Sequence, residues 1–108
     1  MWLLKTQGTE EPSLTFRILA GNIKTVGRAP RADFIVDAAL VSRLHCQLAA
    51  GAAEIEVLDL DSTNGTYVNG QRVEKRATVK AGDRIGIGRV ELVVSEGTGS
   101  TDAPAQSS

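Results

Sequence analysis

Turn signals divide this sequence into short segments. Gly21-Asn22, Asn64-Gly65, Asn69-Gly70 and Ala81-Gly82-Asp83 punctuate it, and the residues between them alternate in character with period two. In Leu14 to Ala20, the residues Leu14, Phe16, Ile18 and Ala20 share one face, opposite Ser13, Thr15, Arg17 and Leu19. Such alternation marks a half-buried strand. Ile23 to Val26 follows the Gly21-Asn22 turn, so these two strands are expected to form a hairpin. Glu54 to Val57 and Val90 to Val94 alternate in the same way, and Thr66-Tyr67-Val68 lies between the two Asn-Gly pairs. Many short strands with turns at this spacing predict an all-β sandwich or barrel.

One stretch is ambiguous. Ala38 to Ala53 is rich in Ala and Leu, and Leu40, Leu44 and Leu48 fall at helical spacing. Helix propensity favours a helix there. The strand reading instead places Leu44, Cys46 and Leu48 on an inward face.

With 108 residues, of which 42% are hydrophobic, the chain can bury one core. Twelve basic and 13 acidic residues give a formal net charge of -1. That balance offers no general attraction to nucleic acid or to a membrane surface. Cys46 is the single cysteine, so an internal disulfide is excluded and a reducing, cytoplasmic setting is expected. Met1 to Lys5 lacks the features of a signal peptide, and no apolar run reaches the length of a membrane span. From Gly97 to Ser108 the residues are small and polar, so the chain divides into a domain over 1–96 and a flexible linker or tail over 97–108. Such a tail suggests a monomeric module of a larger protein.

Three clusters carry chemistry. They are Gly27-Arg28, Ser42-Arg43-Leu44-His45, and the run from Asp61 to Gly70 (DSTNGTYVNG). Each sets hydroxyls, amides or a guanidinium at a strand end or turn, where a sandwich presents its loops. Together they suit a dianionic oxyanion. A phosphate monoester carries about -1.5 to -2 charges and three strong acceptor oxygens. Arg28 offers a planar fork of donors, Ser42 and Thr63 one hydroxyl each, and glycine-containing turns add backbone N–H groups. Nothing in the clusters supplies a base or a nucleophile, so no catalysis and no cofactor are expected.

The order Gly-Arg, Ser-Arg-x-His, Ser-Thr-Asn-Gly-Thr-x-Val-Asn-Gly resembles the forkhead-associated (FHA) domain family over roughly Val26 to Ile87. The resemblance implies an FHA-like sandwich of two twisted antiparallel or mixed sheets with about eleven short strands. It also implies loops at one end that bind phosphothreonine peptides. By this resemblance Arg28 and Ser42 are the phosphate-binding pair, and Arg43 is a side chain touching the phosphopeptide. Thr63 is the hydroxyl residue beside the phosphate, and Asn64 bonds the peptide backbone. His45 and Asn69 brace the binding loops, and Gly27 and Gly65 keep the turns. The implied partner is a phosphothreonine-containing protein, a substrate of a Ser/Thr kinase. One methyl in a fitted notch is worth about 1–3 kcal/mol, which bounds the preference for phosphothreonine over phosphoserine.

Other readings compete. The Asn-Gly pairs alone read as hairpin turns, and a lone arginine reads as a solvated charge. Arg31 either extends the positive patch or is a loop charge. Cys46 follows His45 directly, so on a strand their side chains face opposite ways, against a catalytic Cys-His pair. Asp59-x-Asp61-x-Thr63 fails as a calcium loop, with Asn64 at position six and Gly70 at position twelve. Gly86-x-Gly88 lacks the third glycine of a dinucleotide fingerprint, and the chain has few soft metal ligands. The alternative function is a phosphate-independent interaction through a sheet face or edge. A phosphoester hydrolase is weaker still, without a general base or metal cage.

Overall fold

A computed structural model describes residues 1–7 and 14–97. The expected tail beyond Gly97, with its threonines Thr98 and Thr101, lies outside the described residues. Within them are eleven strands: β1 (Trp2–Gln7), β2 (Thr15–Ile18), β3 (Ile23–Gly27), β4 (Phe34–Ile35), β5 (Cys46–Ala50), β6 (Ile55–Asp59), β7 (Thr66–Val68), β8 (Gln71–Arg72), β9 (Arg76–Val79), β10 (Arg84–Ile87) and β11 (Val90–Glu96). A six-stranded sheet runs β2-β1-β11-β10-β7-β8, and a five-stranded sheet runs β4-β3-β5-β6-β9. Among these pairings only β3 with β4 is parallel. The all-β sandwich expected from the alternation is what forms. No helix of the described residues is long and apolar enough to cross a membrane.

The alternating residues close on one another between the sheets. Leu4, Ile85, Ile87, Leu92 and Val94 from the larger sheet, and Val26, Cys46, Leu48, Ile55, Val57 and Val79 from the smaller, are buried in one cluster. Fully burying a side chain of this size contributes about 1.5–3 kcal/mol. Phe16 of β2 stacks on Phe34 of β4 with ring centroids 4.5 Å apart, joining the two sheets at one side. At the end of the sandwich where β5 meets β6, the Trp2 indole N–H donates to the Gly51 carbonyl at 2.9 Å.

Three expectations need correction. The strands flanking Gly21-Asn22 are not a hairpin: β2 pairs with β1 in one sheet and β3 with β5 in the other. The turn therefore carries the chain across the sandwich. A turn signal marks a reversal but leaves the next hydrogen-bonding partner open. Second, the inward face of β5 begins at Cys46, because Leu44 precedes the strand and is 37% exposed. The helical spacing of Ala38 to Ala53 counts for nothing once Cys46, Leu48 and Ala50 are buried at period two. Third, His45 also precedes β5, and both His45 and Cys46 are fully buried, so strand alternation does not separate them.

The Asn69-Gly70 hairpin is as its sequence suggests. Asn69 (φ 51°) and Gly70 (φ 86°) both sit in the left-handed region, and β7 pairs with β8 around them. That is the two-residue type I′ geometry, whose twist matches the strands.

Candidate functional site

The loops after β3, before β5 and after β6 meet at one end of the sandwich. They enclose an open cleft of about 620 Å³ lined by Arg28, residues 37–44, Asp61, Thr63 and Asn64. Five residues singled out from sequence, Arg28, Ser42, Arg43, Thr63 and Asn64, thus share one concave surface.

Gly27 makes the meeting of β3 with the β4–β5 loop possible. A Cβ there would overlap the Arg43 carbonyl and lie 2.9 Å from the Leu44 Cα. With no side chain in the way, the two segments bond closely. The Arg28 N–H donates to the Ser42 carbonyl at 2.9 Å, Ala29 N–H to Arg43 at 3.1 Å, and His45 N–H to Val26 at 2.8 Å. The Arg28 Nε–H donates to the Val41 carbonyl at 3.0 Å. That bond fixes the guanidinium plane and leaves both terminal nitrogens for an anion.

His45 ties this loop to the next. Its Nδ1 accepts from the Ser42 N–H at 3.0 Å, and its Nε2 lies 2.8 Å from the Gly65 carbonyl. Nδ1 is the acceptor, so the ring is the Nε2–H tautomer and donates to Gly65. Gly65 itself has φ 86°, and a Cβ there would lie 2.9 Å from the Arg72 Nε. Across the cleft the Thr63 N–H donates to the Ser42 hydroxyl oxygen at 2.9 Å. The Ser42 hydroxyl hydrogen is then free to point at a ligand. The Asn64 amide Nδ2 donates to the Leu40 carbonyl at 3.1 Å, leaving its Oδ1 for a peptide N–H.

The β6–β7 loop is folded around Asp59. Its Oδ1 accepts 2.6 Å bonds from the Ser62 and Thr66 hydroxyls, and its Oδ2 a bond from the Ser62 N–H. Burial raises the carboxyl's pKa, but these hydrogen bonds outweigh it and hold it below the ordinary 3.8. Asp59 is therefore the loop's internal anchor, which its place in a failed calcium motif did not reveal.

Asn69 lies outside the cleft. Its Nδ2 donates to Asp83 at 3.2 Å and its Oδ1 accepts from the Arg84 N–H at 3.0 Å, joining the β7–β8 hairpin to the start of β10. Arg31 is exposed and does not line the cleft. Cys46 is no partner for His45 in catalysis. Its thiol is pushed up to about 12 by burial and the nearby Asp59 charge, against a lowering hydrogen bond with Thr66. Among the described residues no group of three His, Cys, Asp or Glu side chains is placed to hold a metal.

Among the cleft residues to which sequence reasoning gave no binding role are Asp37 and Leu40, and also Leu44 and Asp61, which lie inside two of the quoted clusters. Among the described residues, Leu40 (φ 72°) and Asp61 (φ 56°) are two of three non-glycine residues with positive φ, and both line the cleft. Residues held in this region are uncommon and concentrate at functional sites.

The sequence profile of the FHA domain family matches residues 24–88. The chain is 43% identical over 74 residues to the oxoglutarate dehydrogenase inhibitor of Corynebacterium glutamicum, covering 68% of this chain and 50% of that protein. It is 38% identical over 79 residues to the glycogen accumulation regulator GarA of Mycolicibacterium smegmatis, covering 73% of this chain and 49% of that one. The chain thus spans about half the length of these curated relatives. Among solved structures, the FHA domain of the CT664 protein from Chlamydia trachomatis superposes with a TM-score of 0.83 at 25% identity, covering 90% of this chain and 98% of that one. The fold, with its eleven strands in two sheets, defines a β-sandwich of the FHA type. This chain belongs to the FHA domain family.

Proposed function

We propose that this domain binds phosphothreonine in a partner protein through the cleft formed by Arg28, Ser42, Arg43, Thr63 and Asn64. One observation carries the reading. The Ser42 hydroxyl, held by the Thr63 N–H at 2.9 Å, and the Arg28 guanidinium, held by Val41 at 3.0 Å, line the same open cleft. A pre-positioned fork beside free hydroxyls suits a phosphate, because little ordering is left for binding to impose.

In this reading Arg28 takes the phosphate through its two terminal nitrogens, and the Ser42 and Thr63 hydroxyls donate to the remaining oxygens. Arg43, which makes no ion pair among the described residues, adds charge from the cleft wall. The Asn64 Oδ1 accepts from the peptide backbone. Gly27, His45 and Gly65 hold the loops in register, and Asn69 holds the neighbouring hairpin. The partner is a protein phosphorylated by a Ser/Thr kinase, met in the cytoplasm, and the domain turns over nothing. Membership of the family supports this, as does the committed His45 ring.

The test is fluorescence anisotropy with a phosphothreonine peptide beside its phosphoserine and unmodified counterparts. Selective binding of the first is expected. Equal binding of all three would move the function to a phosphate-independent surface.

A further inference from the structure

Three turns of this sandwich share one geometry. Leu19–Asn22, Lys80–Asp83 and Ala38–Val41 are each closed by a bond from the fourth N–H to the first carbonyl, at 3.0, 3.0 and 3.3 Å. Each has a positive φ at its third position: Gly21 at 95°, Gly82 at 96° and Leu40 at 72°. These are type II turns, whose third position favours glycine. The third turn alone of these carries leucine there.

That leucine gains little inside the fold. It is 47% exposed, and its neighbour in the cleft, Leu44, is 37% exposed. Its backbone is held from two sides, by the Asn64 amide on its carbonyl and by Gly88, where a Cβ would lie 2.9 Å from the Leu40 carbonyl carbon. The surroundings thus fix a strained residue and present its side chain to the cleft.

Charge supplies the second half of the argument. The cleft holds two arginines, Arg28 and Arg43, and two aspartates, Asp37 and Asp61. Among the described residues neither aspartate makes an ion pair. A phosphate dianion would balance the two arginines and leave both carboxylates uncompensated. A surface with exposed leucine side chains and free carboxylates fits a side chain with a long aliphatic stem and a cationic head.

We infer that the cleft selects phosphothreonine segments flanked by lysine or arginine, whose stem packs on Leu40 and Leu44 and whose charge meets Asp37 or Asp61. This rests on the phosphothreonine reading above and names the class of segment bound.

The probes are synthetic phosphothreonine peptides in an alanine background. Lysine, leucine or glutamate is placed one at a time within three residues of the phosphothreonine. Lysine is expected to bind roughly three- to tenfold tighter than glutamate at one or more positions, the scale of one exposed ion pair gained and one like-charge contact removed. The ratio should shrink towards one in the double variant Asp37→Asn/Asp61→Asn, and in about 0.5 M salt. Asparagine tolerates the left-handed backbone at position 61, so the variant keeps its loop, which a thermal melt checks. Glutamate binding as well as lysine at every position, leucine outperforming lysine throughout, or a ratio unchanged in the double variant would each overturn the inference. The all-alanine peptide separates the two readings. If it binds only when phosphorylated, a failed flank preference sinks this inference alone. If phosphorylation makes no difference to it, both fall.

Discussion

The Ser42 hydroxyl accepts the Thr63 backbone N–H at 2.9 Å, so one side chain both joins two cleft loops and lines the cleft between them. Ser42→Ala removes both contributions. The orphaned N–H should cost about 1 kcal/mol of stability, and the lost donor about tenfold in phosphopeptide affinity. Urea unfolding and anisotropy measured on the same variant separate the two effects. A variant with wild-type affinity would show that Ser42 only braces the loops.

Arg28 poses a sharper test, because charge and shape can be varied independently. Arg28→Ala should abolish measurable phosphopeptide binding, a loss of about 3 kcal/mol or roughly 100-fold, while the exposed site leaves the melting temperature nearly unchanged. Arg28→Lys keeps the charge but loses both the Nε–H bond to Val41 and the planar fork, so it should recover only a small part of the affinity. Full rescue by lysine would mean that a point charge suffices and that the fixed guanidinium plane is irrelevant.

Gly27→Ala tests the close approach beneath the site. The added methyl overlaps the Arg43 carbonyl, which is backbone and cannot swing aside. The strand and loop must separate, at about 1–3 kcal/mol or more. Because the bonds from Arg28, Ala29 and His45 cross the same seam, phosphopeptide affinity should fall with stability. Wild-type affinity in this variant would show that the cleft does not depend on the seam.

Leu40→Gly should move stability and binding in opposite directions. Releasing a leucine from the left-handed region returns about 1 kcal/mol, reduced by the greater backbone freedom of glycine in the unfolded chain. The denaturation midpoint should rise slightly, while binding of a lysine-flanked phosphopeptide weakens. A fall in the midpoint would mean that the Leu40 side chain packs more than its 47% exposure implies.

These four sites differ in how far they could be read from residues alone. Arg28, Ser42 and Gly27 stand in recognisable runs, and the period-two alternation exposed most strands because each buries one face. Leu40 was invisible for a specific reason. A type II turn is normally signalled by glycine, and a leucine in that place reads instead as part of an apolar stretch. Asp37 was equally silent, and Asp61, though it opens the third cluster, gained no binding role there, since a carboxylate takes its meaning from the cations that share its cleft, and those come from other loops. The supposed β2–β3 hairpin failed for a related reason: Phe16 and Phe34 stack across the sandwich, a contact that local patterning does not encode.

Acid should loosen the cleft through Asp59. Its hydrogen bonds to Ser62 and Thr66 favour the carboxylate and hold its folded pKa below the ordinary 3.8. A group with a lowered folded pKa contributes its stability fully above the unfolded value, and loses it as pH falls through the folded one. Unfolding free energy should therefore decline below about pH 4, with part of the slope belonging to this residue. Asp83 adds little, because its own lowering, led by the Lys80 N–H bond, occurs at an exposed site. In Asp59→Asn the hydroxyls of Ser62 and Thr66 lose their charged acceptor, so the variant should be less stable at neutral pH and its profile flatter between pH 4 and 2, as urea midpoints read at each pH would show. Equal slopes in variant and wild type would place the acid sensitivity elsewhere, and Asp59 would then be a polar spacer and not the anchor of the Thr63 loop.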